Sequence, residues 1–238
     1  RIAHAMREMR VPATSPMGSV VTEDSFSNKG FKQPRDIREV SARHADGDLI
    51  VVRFATLDDV AILHQMTVSE IGPSVASLQT MQGVYKHNAE SLLPIFRRPL
   101  SGEPERLSGY FGILHLNSAG LAALDARTLS GREPDLSLLA RTGERPAALY
   151  VWAAIARKMR VIAEGLVAQV LGAERYGGLP VFATAGTLGG LKWLNHLGEA
   201  DRGPQENALG NVFRVDLAKS VASQAAAQQQ PALIHRLK

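Results

Sequence analysis

The chain has 238 residues, of which 45% are hydrophobic and 21% charged, so it has enough apolar material for the core of one domain. It contains no cysteine, which excludes disulfides, thiolate metal sites and thiol nucleophiles. The formal net charge of +4 indicates affinity for anions, but the basic residues are scattered and form no aromatic-interleaved stripe, so the composition does not favour nucleic acid.

The sequence shows neither a membrane-crossing segment nor an export signal. No run of about eighteen apolar residues predicts a transmembrane helix, and the first residues given contain no secretory signal. Together with the absence of cysteine, these features predict a cytoplasmic protein without a membrane span.

The first half of the chain is predicted to be an arm followed by alternating strands and helices. Residues 1–46 are polar and predict an extended arm or linker. Residues 49–54 are rich in branched side chains and predict a strand. Thr56, followed by acidic residues, is typical of a helix N-cap. A second helix is predicted over residues 74–93, and a second strand over residues 106–116.

The central stretch predicts a buried strand that leads directly into a helix. Residues 147–156 (AALYVWAAIA) form a nearly unbroken apolar run, which is typical of a strand covered on both faces. Residues 157–171 then place apolar side chains at helical spacing. The first turn of that helix contains Arg157, Lys158 and Arg160.

The start of this helix is a candidate anion site. The first N–H groups of a helix lack intrahelical partners, and the helix dipole is positive there. Cations at such an end are unfavourable unless an anion lies among them, so the pattern indicates a phosphate or pyrophosphate site. The alternative interpretation is that the basic side chains form only the solvated rim of a core.

The last third of the chain predicts the closing elements of the domain. The segment 118–145 is irregular and contains a short leucine-rich helix. Residues 179–184 predict a strand, and residues 187–197 predict a helix followed by a polar loop. Residues 211–217 alternate as a last strand. The tail, residues 218–238, is of low complexity, so the expected domain spans residues 47–217.

This order of elements resembles that of the GCN5-related N-acetyltransferase (GNAT) superfamily, of which the chain would be a divergent member. VVRFATLDDVAIL resembles the family's opening strand and helix, and SGYFGILHL resembles the strand before the cofactor-binding strand. ALYVWAAIARKMRVIAEGLVAQVL resembles the central strand, pyrophosphate loop and helix, and VFATAGTLGGLKWLNHLGE resembles the next strand and helix. The resemblance implies an α/β (α+β) fold with a mixed, mostly antiparallel central sheet flanked by helices.

The resemblance also implies which residues contact an acyl-coenzyme A substrate. The thioester would lie along the central strand at Trp152, Ala154 and Ile155. The pyrophosphate would lie at the start of the helix, on Arg157, Lys158, Arg160, Val161, Ile162 and Ala163.

The sequence departs from the family pattern at two kinds of position. Val161 stands where the family's phosphate loop has its first glycine. Thr187 and Leu194 stand where many members have an asparagine and a tyrosine, and a leucine cannot protonate a leaving thiolate.

The candidate catalytic residues are titratable side chains near the expected cleft. Glu70 and His115 are candidate bases, and Tyr150 and Tyr110 are candidate acids. Each also has a structural interpretation: Glu70 as a surface carboxylate, His115 as a satisfied strand histidine, and the tyrosines as core or cleft lining.

The predicted function is an acyltransferase. It would move an acyl group, most simply acetyl, from acetyl-CoA or another acyl-CoA to an amine on a small molecule or a protein. One alternative is a catalytically inactive GNAT-like module for binding or regulation, and another is a synthase of the acyl-homoserine lactone type.

The arm and the tail are candidates for contacts within a homodimer or with a partner protein. The histidines are dispersed, and no metal motif, G-x-S-x-G elbow or Walker loop is present.

Overall fold

The computed structural model of the protein describes residues 39–156, 159–171, 176–202 and 210–215, all within the unit Pro34–Lys238. The strands are β1 (Glu39–Arg43), β2 (Leu49–Arg53), β3 (Leu92–Arg98), β4 (Arg106–Leu116), β5 (Ala148–Ala156), β6 (Val181–Thr184), β7 (Gly198–Arg202) and β8 (Val212–Val215). The described α-helices are α1 (Leu57–Ile71), α2 (Leu78–His87), α3 (Ser118–Asp125), α4 (Arg160–Leu171) and α5 (Leu188–Leu197), and a 3₁₀ turn covers Leu136–Leu138. The predicted arm up to residue 38 and the tail from residue 218 lie outside the described residues.

The strands form one open sheet in the order β1-β2-β3-β4-β5-β6-β8-β7. Every neighbouring pair is antiparallel except β5 and β6, which are parallel. The described part of the chain is therefore a mixed α+β structure with a mostly antiparallel sheet, and the predicted fold class is confirmed at this level.

Helices cover both faces of the sheet. Helices α4 and α5 pack on one face, where Leu166 and Trp193 join the largest apolar cluster. Helices α1 and α2 pack on the opposite face, where Leu63 and Met81 contact the same cluster as Tyr110 and Ile155. Helix α3 extends that second layer along the sheet. None of the described helices has both the length and the apolar character needed to span a bilayer.

Three predicted segments differ from the structure. The helix predicted over 74–93 ends at His87, and β3 begins at Leu92. Pro94 lies one residue beyond the last pair in the register of β3 with β2, Val52↔Ile95, and proline is confined to such positions in a sheet because it cannot donate to the ladder. The end of the predicted arm forms β1, and the loop predicted after α5 begins with β7. Both are edge strands: β1 pairs with β2 and packs Val40 and Ala42 against the core, and β7 pairs with β8.

The start of α1 is held by a side-chain network that the sequence partly predicted. Asp59 Oδ2 accepts hydrogen bonds from the Thr56 backbone N–H at 2.7 Å and from its Oγ1 at 2.8 Å. Arg53 donates to both Asp59 carboxylate oxygens, at 2.8 and 3.1 Å. Burial alone raises the pKa of Asp59, but the bonds from Arg53 and Thr56 outweigh it and leave that pKa below 3.8. The network therefore ties the end of β2 to the first turn of α1.

We expect Asp59→Asn to lower the free energy of unfolding at neutral pH by about 1 kcal/mol, because it removes a charged cap and its arginine partner. A carboxylate with a depressed native pKa stabilises the fold above its unfolded pKa, and that stabilisation is lost as the pH falls through the native value. Urea unfolding at pH 7 and at a pH below 3.8 should therefore show the variant and the wild type converging in acid. Asp58→Asn is the matched control in the same exposed turn; an equal effect of both changes would contradict the role given to Asp59.

Two helical glycines offer a second test of the packing. A Cβ built on Gly120 in α3 would lie 2.1 Å from the Leu138 carbonyl oxygen, whereas one on Gly83 in α2 meets nothing within 4 Å. Gly120→Ala should destabilise the protein by about 1–3 kcal/mol through overpacking against backbone. Gly83→Ala should stabilise it by about 0.5–1 kcal/mol through helix propensity. Thermal and urea unfolding of the two variants should thus shift in opposite directions, and the close approach would be refuted if Gly120→Ala were neutral.

Candidate functional site

The predicted strand-to-helix junction is present in the structure. Strand β5 covers Ala148–Ala156 and α4 covers Arg160–Leu171, close to the predicted bounds. Met159 between them is buried, and its N–H donates to the Ala156 carbonyl at 3.4 Å. The predicted ligands Arg157 and Lys158 lie outside the described residues.

A bulge in β5 opens the sheet beside this junction. Gly112 pairs with Ala153 and Ile113 pairs with Val151, so Trp152 is the extra residue on β5. The parallel pairing with β6 ends at Val151↔Ala183. Beyond that pair β5 continues, and no described strand covers the edge that faces away from β4.

The open edge presents a backbone donor. The Ile113 N–H donates to the Ser91 carbonyl on the β3 side at 2.7 Å. Because backbone groups alternate in direction along a strand, those of Gly112 face β5 and pair with Ala153. The N–H of Ala154 then points away from β4, toward the gap beyond β6.

This gap is the mouth of a cleft of about 490 Å³. Such a volume suits a small-molecule site. Several groups of residues line it: the end of α1 and the following turn, the open part of β5, and the start of α5. Besides Trp152, Ala154 and Ile155 of β5, the lining includes Thr67, Glu70, Ile71, Val75, Met81, Tyr110, Arg132, Arg160, Thr184, Thr187, Trp193 and Leu194.

The start of α4 reaches this cleft through Arg160. The Ala163 N–H bonds to Met159 O at 2.9 Å, and the helical amides before it have no backbone acceptor among the described residues. Arg160 Nε lies 3.4 Å from Glu164 Oε1, and Glu164 also accepts from Trp193 Nε1 at 2.6 Å. The buried carboxylate of Glu164 therefore contacts both the Arg160 guanidinium and the Trp193 indole, and it positions these two cleft residues next to each other.

The other predicted ligands on α4 face in different directions. Val161 is 42% exposed and does not line the cleft, so its side chain leaves the cavity open. Ile162 packs against the core and Ala163 is fully buried. Val161 and Ile162 can therefore contribute only their backbone amides to an anion site, and the Ala163 N–H is already bonded to Met159 O.

A second helix start, at which no ligand was predicted, also faces the cleft. Gly186, Gly189 and Gly190 flank the N-terminus of α5 and line the cavity. Thr187 Oγ1 caps this helix by accepting from the Gly190 N–H at 3.0 Å. A Cβ on Gly186 would meet nothing within 4 Å, so the backbone here is open to a ligand.

Two candidate catalytic side chains lie in the cleft. Glu70, in the last turn of α1, is exposed and lines it. Tyr110 also lines it, and its hydroxyl lies 2.5 Å from Thr67 Oγ1. Burial raises the pKa of Tyr110 to about 12, although the bond with Thr67 opposes the shift. The hydroxyl therefore keeps its proton at neutral pH and can donate a hydrogen bond.

The other two candidates do not line the cleft. Burial raises the pKa of Tyr150, and its hydroxyl bonds to Thr184, which does line the cleft. His115 is 1% exposed within the sheet, and its ring centroid lies 5.2 Å from that of Tyr176. Neither His115 ring nitrogen has a hydrogen-bond partner among the described residues.

The buried state of His115 predicts a pH-dependent stability. Burial lowers its pKa from 6.5 to about 4, so the unfolded chain takes up this proton first as the pH falls. The native state should therefore lose stability between pH 6.5 and pH 4, by about 2 kcal/mol at pH 5. His115→Leu should remove this loss while retaining the fold.

Urea unfolding at pH 7.5 and pH 5 measures the effect. We expect the decrease in the free energy of unfolding from pH 7.5 to pH 5 to be smaller in His115→Leu than in the wild type. His64→Leu on α1 is the control for losing a histidine elsewhere. An identical drop in the wild type and His115→Leu would show that His115 binds a proton in the folded state as readily as in the unfolded state.

Within the described ranges, no group of three or more His, Asp or Glu side chains is placed to share a metal ion. The sequence did not indicate Thr67, Arg132, Thr184 or Trp193 as cleft residues. These residues belong to four separate parts of the chain, namely α1, the loop after α3, β6 and α5, which come together only in the folded structure.

No protein-family model matches the chain, and no curated protein matches its sequence.

Proposed function

We propose that the protein is an acyl-CoA-dependent N-acyltransferase with a GNAT-like arrangement of its sheet. The observation that supports this most is the open edge of β5, which presents the Ala154 N–H to a cleft that also contains Arg160 at the start of α4. The single parallel pair β5–β6, which ends at Val151↔Ala183, supports the proposal because it leaves the rest of β5 open to a ligand.

The two ends of the cleft suit the two ends of an acyl-CoA thioester. The unpaired amides at the start of α4, with Arg160 beside them, favour the pyrophosphate. The open edge of β5 beyond Val151 suits an extended pantetheine arm. The thioester carbonyl would then lie near Ala154, where a backbone N–H can stabilise the oxyanion that forms during acyl transfer.

The reaction needs few side chains. The amine nitrogen attacks the thioester carbonyl carbon, an amide bond forms, and the carbon–sulfur bond breaks. Glu70 receives the proton that the amine loses, directly or through water. With its pKa near 12, Tyr110 is too weak an acid to protonate a thiolate of ordinary pKa, so it donates only a hydrogen bond. Leu194 also lines the cleft and has no proton to give, so water protonates the thiolate.

Isothermal titration with acetyl-CoA tests the proposal. We expect the wild type to bind in the micromolar to millimolar range that is usual for such substrates. Arg160→Gln should weaken binding about tenfold, because it removes one charge-assisted contact to phosphate. Lys192→Gln, an exposed change on α5 away from the cleft, is the matched control. Thermal unfolding of each variant checks that the loss of the Arg160–Glu164 pair leaves the fold intact.

Absence of binding heat and of any thermal shift at millimolar acetyl-CoA would refute the proposal. An unchanged dissociation constant in Arg160→Gln would remove that residue from the site. Acetyl-CoA binding without transfer to any amine would favour the alternative, a GNAT-like binding or regulatory module, and the leucine at position 194 is the feature that favours it.

A further inference from the structure

Arg132 is a cleft residue to which the proposed acyl transfer assigns no task. It lies in the loop between α3 and the 3₁₀ turn, and its exposed side chain lines the cavity. It forms no ion pair with any residue in the described ranges, although Glu133 is its neighbour in sequence. A guanidinium facing a cleft without a carboxylate partner has unused capacity to bind an anion.

The loop that presents Arg132 is held in place by defined hydrogen bonds. Trp152, the bulged residue of β5, donates from Nε1 to the Gly131 carbonyl at 2.5 Å. Within the loop, the Glu133 N–H donates to Ser130 Oγ at 3.0 Å. The bulge that opens the cleft thus also holds the backbone next to Arg132, and a loop that is ordered before binding loses less entropy when it takes up a ligand.

Arg132 lies on the face of the sheet opposite to the proposed phosphate site. Trp152 packs with the cluster under α1 and α2 that contains Met81 and Tyr110. Arg160 and α4 belong to the other face. The cation at Arg132 is therefore placed for the acyl acceptor rather than for the coenzyme pyrophosphate.

Much of the rest of this end of the cleft is apolar, although Thr67 and Ser74 also line it. Ile71, Val75 and Met81 line it together with Tyr110, and Glu70 lies nearby at the end of α1. One guanidinium matches the bidentate geometry of a single carboxylate. We propose that Arg132 binds the carboxylate of the acyl acceptor, so that the acceptor is an amino acid with an apolar side chain rather than a simple amine. This inference rests on the proposed function.

Product analogues test this inference without requiring turnover. N-acetyl-L-phenylalanine and N-acetylphenethylamine differ only in the carboxylate. Each compound is titrated into the full wild-type chain with excess coenzyme A. The compound with the carboxylate should bind at least about tenfold more tightly than the compound without it. Arg132→Gln should abolish this preference, and Arg132→Lys should keep part of it. Arg141→Gln changes an exposed arginine that lies outside the cleft, in the same segment between α3 and β5. This variant should behave like the wild type.

The outcomes separate this inference from the proposed function. Equal binding of both compounds to the wild type, or a preference retained in Arg132→Gln, would overturn the role of Arg132 while acetyl-CoA binding could still stand. Loss of acetyl-CoA binding in Arg132→Gln would also overturn it, since Arg132 would then serve the coenzyme. A carboxylate preference that depends on Arg132 in a protein that does not bind acetyl-CoA would support the anion site and refute the transferase.

Discussion

The early end of the parallel pairing between β5 and β6 is the constraint on which the cleft depends. Parallel strands cannot be joined by a hairpin, so β5 must return to β6 through a crossover, and α4 provides it. That connection places the start of α4 at the end of β5 where the pairing with β6 has already stopped at Val151↔Ala183. An unpaired strand edge and an unpaired helix terminus therefore meet at one point, and a polar ligand can satisfy both.

The bulge at Trp152 links this opening to the rest of the site. It changes which side chains face each layer: Val151 packs with α4, whereas Ala153 and Ile155 pack with α1 and α2. Its own indole then holds the loop that contains Arg132. A single extra residue thus lets β5 contribute to both walls, and it places the cleft's two named cations on opposite faces of the sheet.

Polar groups buried beneath the cleft show how the fold balances stability against position. Glu164 is only 4% exposed, yet it joins Trp193 to Arg160 and so orients two cleft residues. A buried carboxylate needs such donors, because desolvation penalises its charge. His115, by contrast, is buried against Tyr176 without a described partner for its ring nitrogens, and it remains neutral.

The sequence by itself determined the strand–helix junction over residues 147–171, the cap at Thr56 and the mixed fold class, because apolar periodicity and capping act locally. It did not reveal β1 and β7, since these short, mostly polar segments become strands by backbone pairing with the neighbouring strands β2 and β8. Only the tertiary structure decided the cleft. Arg132 and Arg160 belong to segments whose proximity depends on strand register and packing, which no local pattern encodes.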